Sequence, residues 1–267
     1  MPSNAVLSRG TSPLLISIPH LGTEIPPDIL ATMTPVAQHR DDTDWHLDQL
    51  YSFASELGAS ILQPRLSRYV IDLNRPPNDE NLYPGQNTTG LLPVDTFADE
   101  ALYAKGQRPT EQERDRRRAL YWDPYHQTLA AELARLRQEH GYALLWEAHS
   151  IRAYLPRLFE GRLHDFNFGS ASDHSALPGL AQELAELASA GGHYTAVANG
   201  RFKGGYITRH YGQPQQHVHA IQLELAQLCY MDESRPYHYD VERASKLAPK
   251  VRQCIEHALH KLHSHYQ

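Results

Sequence analysis

The sequence predicts an α/β fold in a single domain, with a central mixed, mostly parallel sheet that helices cover on both faces. Short apolar runs alternate with longer segments of helical apolar spacing, and this alternation is typical of parallel sheets between helices. The 267 residues are 41% hydrophobic and 21% charged, a globular composition. Because no repeat, low-complexity tract or linker divides the chain, we expect one domain over residues 1–267.

Strands are expected where short apolar or β-branched runs stand between turn residues. The first run leads directly into Pro19 and His20. Another, at 142–146, leads into Glu-Ala-His-Ser and so brings His149 to a strand end. The predicted strands cover residues 14–18, 59–62, 69–73, 142–146, 193–198 and 218–225.

Helices are expected where apolar residues recur at intervals of three and four. Such spacing predicts a helix over 44–57, which Gly58 ends. Thr110-Glu-Gln-Glu113 fits a capping box, so another helix begins there. Asp123-Pro124 suits a second helix start or a kink, and Gly141 is the expected C-cap. Further helices are predicted over 178–190 and 244–263, and irregular segments over 74–109 and 199–214.

Composition and missing motifs exclude several classes of protein. The net charge of −6 argues against a general nucleic-acid binder. No apolar run has the length of a membrane-spanning helix or of a signal-peptide core, and Cys229 and Cys254 are too few for a disulfide scaffold. A cytoplasmic protein is therefore expected. The nucleophile elbow, the phosphate-binding loop, G-x-G-x-x-G and H-E-x-x-H are all absent.

A set of polar side chains lies at the ends of predicted strands. His20 follows the first strand, His149 follows the strand at 142–146, and Glu224 interrupts the apolar run 221–225. Ligands of open α/β sheets bind outside the carboxyl ends of the strands. Two histidines with nearby carboxylates suit a zinc ion that keeps an open coordination position, and a buried glutamate suits a general base. A purely structural role for both histidines is the alternative.

Six segments, in chain order over almost the whole sequence, carry a family resemblance. They are SIPHLG (17–22), DTDWHLDQLY (42–51), RYVIDLNRP (68–76), LWEAHS (145–150), GGYITR (204–209) and IQLEL (221–225). Together they resemble the N-formylglutamate amidohydrolase family, deformylases that end one route of histidine degradation. That family is similar to zinc carboxypeptidases. The resemblance implies a phosphorylase/hydrolase-like, zinc carboxypeptidase-like fold and hydrolysis of N-formyl-L-glutamate to formate and L-glutamate.

The resemblance also implies a metal site. One zinc ion, or another divalent metal in its place, is expected at His20, His149 and a carboxylate. The pattern of the family points to Asp44 as that carboxylate, and Glu24 and Asp48 stay open as alternatives.

The remaining site residues follow from the same resemblance. Glu224 is implied as the general base. Because a guanidinium group is an efficient partner for a carboxylate, arginines are expected to bind the two carboxylates of the substrate. Asn74-Arg75 resembles the carboxylate-binding Asn-Arg pair of zinc carboxypeptidases, and Arg68 and Arg209 are the further candidates.

The expected partner is therefore a small-molecule dicarboxylate, with neither nucleic acid nor membrane, and the oligomeric state stays open. Two alternative functions are considered. The first is the same zinc chemistry on another N-acyl amino acid, such as N-formyl- or N-acyl-aspartate, which a substrate panel distinguishes. The second is a non-catalytic relative that binds ligands in the same pocket, which zinc binding without hydrolysis would indicate.

Overall fold

A seven-stranded mixed sheet forms the centre of the computed structural model, which describes residues 3–82, 85 and 87–267. The strand order is β1-β3-β2-β4-β7-β5-β6. Two neighbouring pairs, β1–β3 and β5–β7, are antiparallel, and the other four are parallel. The strands are β1 (Ala5–Ser8), β2 (Leu14–Ser17), β3 (Ser60–Pro64), β4 (Ala143–Ile151), β5 (Phe166–Gly169), β6 (Ala196–Ala198) and β7 (Val218–Ala226). The predicted mixed, mostly parallel sheet is confirmed.

Helices cover both faces of this sheet. They are α1 (Pro27–Leu30), α2 (Leu47–Leu50), α3 (Glu111–Arg117), α4 (Asp123–His140), α5 (Leu180–Ser189), α6 (Tyr206–Tyr211) and α7 (Val241–Tyr266). The apolar sides of α5 and α7 pack on one face of the sheet, and α4 and α6 pack on the other. Single 3₁₀ turns occur at Pro35–His39, Ser52–Ser55, Pro214–Gln216 and Gln227–Cys229.

The two longest strands, β4 and β7, determine where a site can form. All nine residues of each strand are buried, and successive side chains point to opposite faces. On the face that α4 covers, the side chains of β4 are apolar up to Leu145 and then become polar. The register places Glu147 opposite Gln222 and His149 opposite Glu224. One face of the sheet therefore carries a polar patch toward the ends of both strands.

The helix-boundary predictions are largely confirmed. Thr110 is the N-cap of α3, and its hydroxyl accepts a hydrogen bond from the backbone N–H of Glu113. A π-helical turn at Arg118–Trp122 joins α3 to α4, which begins at the expected Asp123-Pro124. Gly141 ends α4 with φ of 83°, a left-handed conformation that glycine adopts without strain.

Two predictions near the site are wrong. The helix expected over 44–57 is only the short α2 and the following 3₁₀ turn, because His46 has φ of 61° and interrupts the helical backbone. Asp44 therefore precedes α2. The strand expected over 69–73 is a series of turns. Its apolar side chains are buried against the α4 side of the sheet, so burial produced the strand-like pattern without a pairing partner.

Two further boundaries differ from the prediction. The strand expected to end at residue 146 continues to Ile151 because β7 pairs with it along its whole length, so His149 lies inside the strand. The irregular segment expected over 199–214 contains α6. The short strands β1 and β5 were not predicted, since four residues carry too weak a periodicity.

Both cysteines are free thiols, with Cys254 buried in α7 and Cys229 partly buried, as expected. Within the described ranges, no helix combines the length and the apolar character that crossing a bilayer requires.

Candidate active site

A polar pocket opens on the α4 face of the sheet, at the polar ends of β4 and β7. Its empty space, with the open solvent at its mouth included, is about 590 Å³. Six of the eight predicted site residues line it: His20, Arg68, Asn74, Arg75, His149 and Glu224. Asp44 lies behind the two histidines, and Arg209 is not part of the lining.

Three of these side chains converge on one point. One potential ligand atom from each of His20, Asp44 and His149 lies within 4.8 Å of the others, and all three residues are buried. Asp44 Oδ2 lies 3.1 Å from His149 Nδ1 and 3.7 Å from His20 Nδ1. Two imidazole nitrogens and a carboxylate are a donor set typical of catalytic zinc, which keeps a further position open. The residues therefore fit a divalent metal ion.

Backbone hydrogen bonds hold Asp44 between β2 and β4. Its N–H donates to the carbonyl of His20, at 3.1 Å, and its Oδ2 accepts from the N–H of Ser150, at 3.2 Å. The two alternative carboxylates lie elsewhere. Glu24 is exposed and pairs with Arg65 at 2.9 Å, and Asp48 is exposed on α2.

A buried carboxylate orients each histidine, and the sequence analysis missed both. Asp72 Oδ1 lies 2.7 Å from His20 Nε2, and Glu147 Oε1 lies 2.6 Å from His149 Nε2. Such a contact keeps the proton on Nε2 and directs the Nδ1 lone pair at the metal position. Glu147 could have been found, because it precedes His149 by two residues and so shares its strand face. Asp72 lies in the segment wrongly predicted as a strand.

The electrostatics of the cluster favour a cation at its centre. Burial opposes a charged imidazole, but the carboxylates of Glu147 and Asp44 raise the pKa of His149 to about 10. Burial also opposes ionisation of Asp44 and Asp72. His149 and His20 nevertheless hold the pKa of the Asp44 carboxyl below its ordinary range, and His20 and Arg68 do the same for the pKa of Asp72. A metal ion provides the positive charge that these carboxylates attract.

Glu224 faces the cluster from the neighbouring strand. It is 7% exposed and stands opposite His149 in the register. Burial raises the pKa of its carboxyl to about 8, against the opposing effect of His149. In the described part of the chain, no side chain hydrogen-bonds this carboxyl. A carboxyl with a pKa near neutrality and access to a pocket is suited to accept and donate a proton.

Two of the predicted arginines differ in their surroundings. The Arg68 guanidinium donates to Asp72 Oδ2 at 2.6 Å and lies 3.2 Å from His20 Nδ1, so it is a buried ion pair beside the cluster. The Arg75 guanidinium donates to the carbonyl and the hydroxyl of Thr89, at 2.7 and 3.2 Å. Both acceptors are neutral, so the positive charge of Arg75 is not balanced by them.

Asn74 connects this wall of the pocket to α6. Its Oδ1 accepts from the N–H of Ile207 at 2.9 Å, and its Nδ2 lies 3.1 Å from His149 Nε2. Gly205, just before α6, leaves room for this side chain, since a Cβ there would approach Asn74 to 2.3 Å.

Arg209 lies outside the lining of the pocket, and another arginine of the same segment lines it. Arg209 is exposed on α6 and donates to the carbonyl of Gly204 at 2.8 Å. Arg201, which the sequence analysis did not single out, lines the pocket. The basic character of the 199–214 segment was a signal for both arginines, but only the packing of α6 decides which of them faces inward.

The fold and the site together define an α/β protein whose polar pocket carries a candidate metal centre of two histidines and an aspartate. A family model described as N-formylglutamate amidohydrolase matches residues 12–231. The chain belongs to that family.

Known relatives agree with this assignment, and solved structures share the fold. The chain is 53% identical to an N-formylglutamate deformylase of Pseudomonas aeruginosa, with 94% of each chain covered. It is 48% identical to an N-formylglutamate deformylase of Pseudomonas putida, with 93% and 92% covered. The crystal structure of N-formylglutamate amidohydrolase from Ralstonia eutropha has a TM-score of 0.81 at 24% identity, covering 98% and 99% of the two chains. The crystal structure of a gene product of Agrobacterium tumefaciens has a TM-score of 0.69 at 17% identity, covering 98% and 96% of the two chains. Both structures show the predicted fold.

Proposed function

We propose that this protein hydrolyses N-formyl-L-glutamate to formate and L-glutamate, with one zinc ion held by His20, Asp44 and His149. The observation that carries the proposal is the convergence of these three side chains with Glu224 in one arginine-lined pocket. Family membership and the names of the two Pseudomonas relatives support the reaction and the substrate. The proposed metabolic role is then the last step of a histidine degradation route.

The metal site is proposed from the chemistry of its donors. His20 and His149 offer Nδ1, and Asp44 offers Oδ2. A zinc ion bound there supplies a Lewis acid and lowers the pKa of water at its open coordination position. Asp72 and Glu147 hold the two imidazole rings in the orientation that this coordination needs.

Glu224 is the proposed general base. It accepts a proton from the water whose oxygen attacks the formyl carbon. When the C–N bond breaks, the same carboxyl donates that proton to the leaving nitrogen, which yields formate and the free amino group. The 7% exposure of Glu224 limits competing bulk water.

Side chains of the pocket wall position the substrate. Asn74 and Arg75 are proposed to bind the α-carboxylate, since Asn74 adjoins His149. Arg68 is held beside His20 by Asp72, where its guanidinium can donate to the oxygen that gains negative charge on the formyl group.

A substrate panel tests the proposal. Formate release from N-formyl-L-glutamate is measured in zinc-loaded protein beside release from N-formyl-L-aspartate. N-acetyl-L-glutamate is tested as well, with acetate as the measured product. Fastest release from N-formyl-L-glutamate is expected. A faster reaction with one of the other two compounds would redirect the function to that N-acyl amino acid, and zinc binding with no reaction on any of the three would indicate a binding protein.

A further inference from the structure

Two arginines line the pocket from loops that are far apart in the sequence. Arg75 lies in the irregular segment between β3 and α3, and Arg201 lies in the loop between β6 and α6.

Both arginines bind the same short segment, which limits the distance between them. Arg75 Nε donates to the carbonyl of Thr89 at 2.7 Å, and Arg201 Nη2 donates to the carbonyl of Asn87 at 3.1 Å. Two residues of fully extended chain span at most roughly 7 Å. Each guanidinium group lies within one hydrogen bond of this segment, and both arginines line the same pocket.

Backbone contacts also fix where Arg201 stands. Its Nε donates to the carbonyl of Leu158 at 2.8 Å. The loop that carries it returns across β5, where a Cβ on Gly169 would approach the backbone of Lys203 and Gly204 to 2.6 Å. It then reaches Gln222 on β7, whose Oε1 accepts from the N–H of Gly205 at 2.8 Å. This close packing on the sheet holds the loop at the pocket.

The other basic side chains near the pocket are less suited to a second carboxylate. Arg68 is already paired with the buried carboxylate of Asp72 at 2.6 Å. Arg209 and Lys203 are exposed and do not line the pocket. Arg201 lines the pocket, and the carbonyls of Leu158 and Asn87 hold it there.

The geometry points to Arg201 as the residue that binds the side-chain carboxylate of the substrate and so selects glutamate over amino acids with an uncharged side chain. The inference rests on the proposed function and assigns a specificity-determining residue to it. Arg75, next to Asn74 and the cluster, takes the α-carboxylate, and Arg201 takes the distal one. A guanidinium–carboxylate pair is charge-assisted and can be bidentate, whereas the amide of glutamine offers only one neutral acceptor.

The test compares N-formyl-L-glutamate with its neutral isostere N-formyl-L-glutamine. For Arg201→Met, kcat/KM for the first substrate is expected to fall about 100-fold, and that for the second to change by less than about threefold. Arg201→Lys keeps the charge but lacks the planar guanidinium group, so its kcat/KM for N-formyl-L-glutamate is expected to lie between those of the wild type and Arg201→Met. Lys203→Met removes a charge from the same loop and is expected to leave both values unchanged. An equal fall for both substrates in the Arg201 variants would overturn the inference.

Binding of the amino-acid product separates this inference from the proposed reaction. Calorimetry is carried out with L-glutamate and L-glutamine on the zinc-loaded wild type and on Arg201→Met. A preference for L-glutamate that disappears in the variant supports the role of Arg201 even if the wild type releases no formate. Equal binding of both amino acids by the wild type, or an unchanged preference in Arg201→Met, would overturn it.

Discussion

The base and the wall of the pocket are built by different means. The base of the pocket consists of His149 on β4, Glu224 on β7, His20 shortly after β2, and Asp44 just before α2. All four are buried. Strand register places His149 opposite Glu224, and backbone hydrogen bonds hold Asp44 beside His20 and Ser150. The wall consists of the arginines at 75 and 201, on irregular segments, where loop carbonyls hold the guanidinium groups.

This difference assigns the chemical step to the base of the pocket and substrate selectivity to its wall. A residue on a central strand cannot shift without breaking a ladder of backbone hydrogen bonds, so the base keeps a fixed geometry for proton transfer. Loops tolerate substitution more easily, so the wall can change the preferred substrate while the base stays intact. Changes in the base should therefore lower turnover of every substrate, and changes in the wall should alter discrimination.

The largest effect is expected from Glu224→Gln, at the base of the pocket. The amide cannot accept the proton of the attacking water, so kcat should fall about 1,000-fold for every N-formyl substrate. Zinc content should stay at the wild-type value, because Glu224 is not among the proposed ligands. Formate release at the wild-type rate by the zinc-loaded variant would contradict the role of Glu224 as the general base.

A smaller effect is expected from the carboxylates behind the histidines. Glu147→Gln and Asp72→Asn remove the acceptors that orient His149 and His20. Zinc affinity, measured by competition with a chromogenic chelator, should fall about 10- to 100-fold in each. Glu139→Gln, on the exposed side of α4, is the matched control. Unchanged affinity in both buried variants would show that zinc binds elsewhere.

The wall is tested by Arg75→Met. If Arg75 binds the α-carboxylate, which glutamate and glutamine share, kcat/KM should fall by a similar factor of about 30 for N-formyl-L-glutamate and N-formyl-L-glutamine. This result contrasts with the selective loss expected for Arg201→Met. A selective loss with N-formyl-L-glutamate in Arg75→Met would reverse the assignment of the two arginines.

The smallest effect concerns His126, which supports the segment between base and wall. Its Nε2 lies 2.9 Å from the carbonyl of Leu73, and its ring stacks on Trp122 at 3.6 Å. Burial lowers the pKa of His126 to about 3. The folded protein therefore keeps this ring neutral, and the unfolded chain protonates it below its ordinary pKa of about 6.5. Stability should fall as the pH drops from that value toward 3.

Urea denaturation at pH 7.5 and 5.5 measures this contribution. Protonation of His126 in the unfolded chain should remove about 1.4 kcal/mol of the free energy of unfolding between the two values. His126→Gln should lose less stability than the wild type over the same interval, by about that amount. Equal losses in the two proteins would show that His126 is not held neutral by the fold.

The parts of the fold that short-range patterns encode were predictable. The capped helices α3 and α4 and the strands β4 and β7 carry their periodicity in the sequence, and His149 and Glu224 follow from strands with a polar interruption. The turn conformation at 69–73 was not predictable, because a buried apolar run has the same pattern with or without a pairing strand. Asp72 was missed for the same reason.

The resemblance to a family contributed what the residues alone could not. Spacing alone left three carboxylates open as the third ligand, and the family pattern selected Asp44, which lies at the cluster in the structure. For Arg201 and Arg209, neither the residue spacing nor the family resemblance predicted which side chain lines the pocket. Their placement depends on contacts distant in sequence, such as the hydrogen bond from Thr208 on α6 to Glu147 on β4.

The most direct test of the account is formate release from N-formyl-L-glutamate before metal removal, after chelation and after zinc return. The arrangement of His20, Asp44 and His149 leads us to expect that chelation abolishes release and that one equivalent of zinc restores it. Full release from protein shown to be free of metal would contradict the proposed metal-dependent chemistry at the base of the pocket.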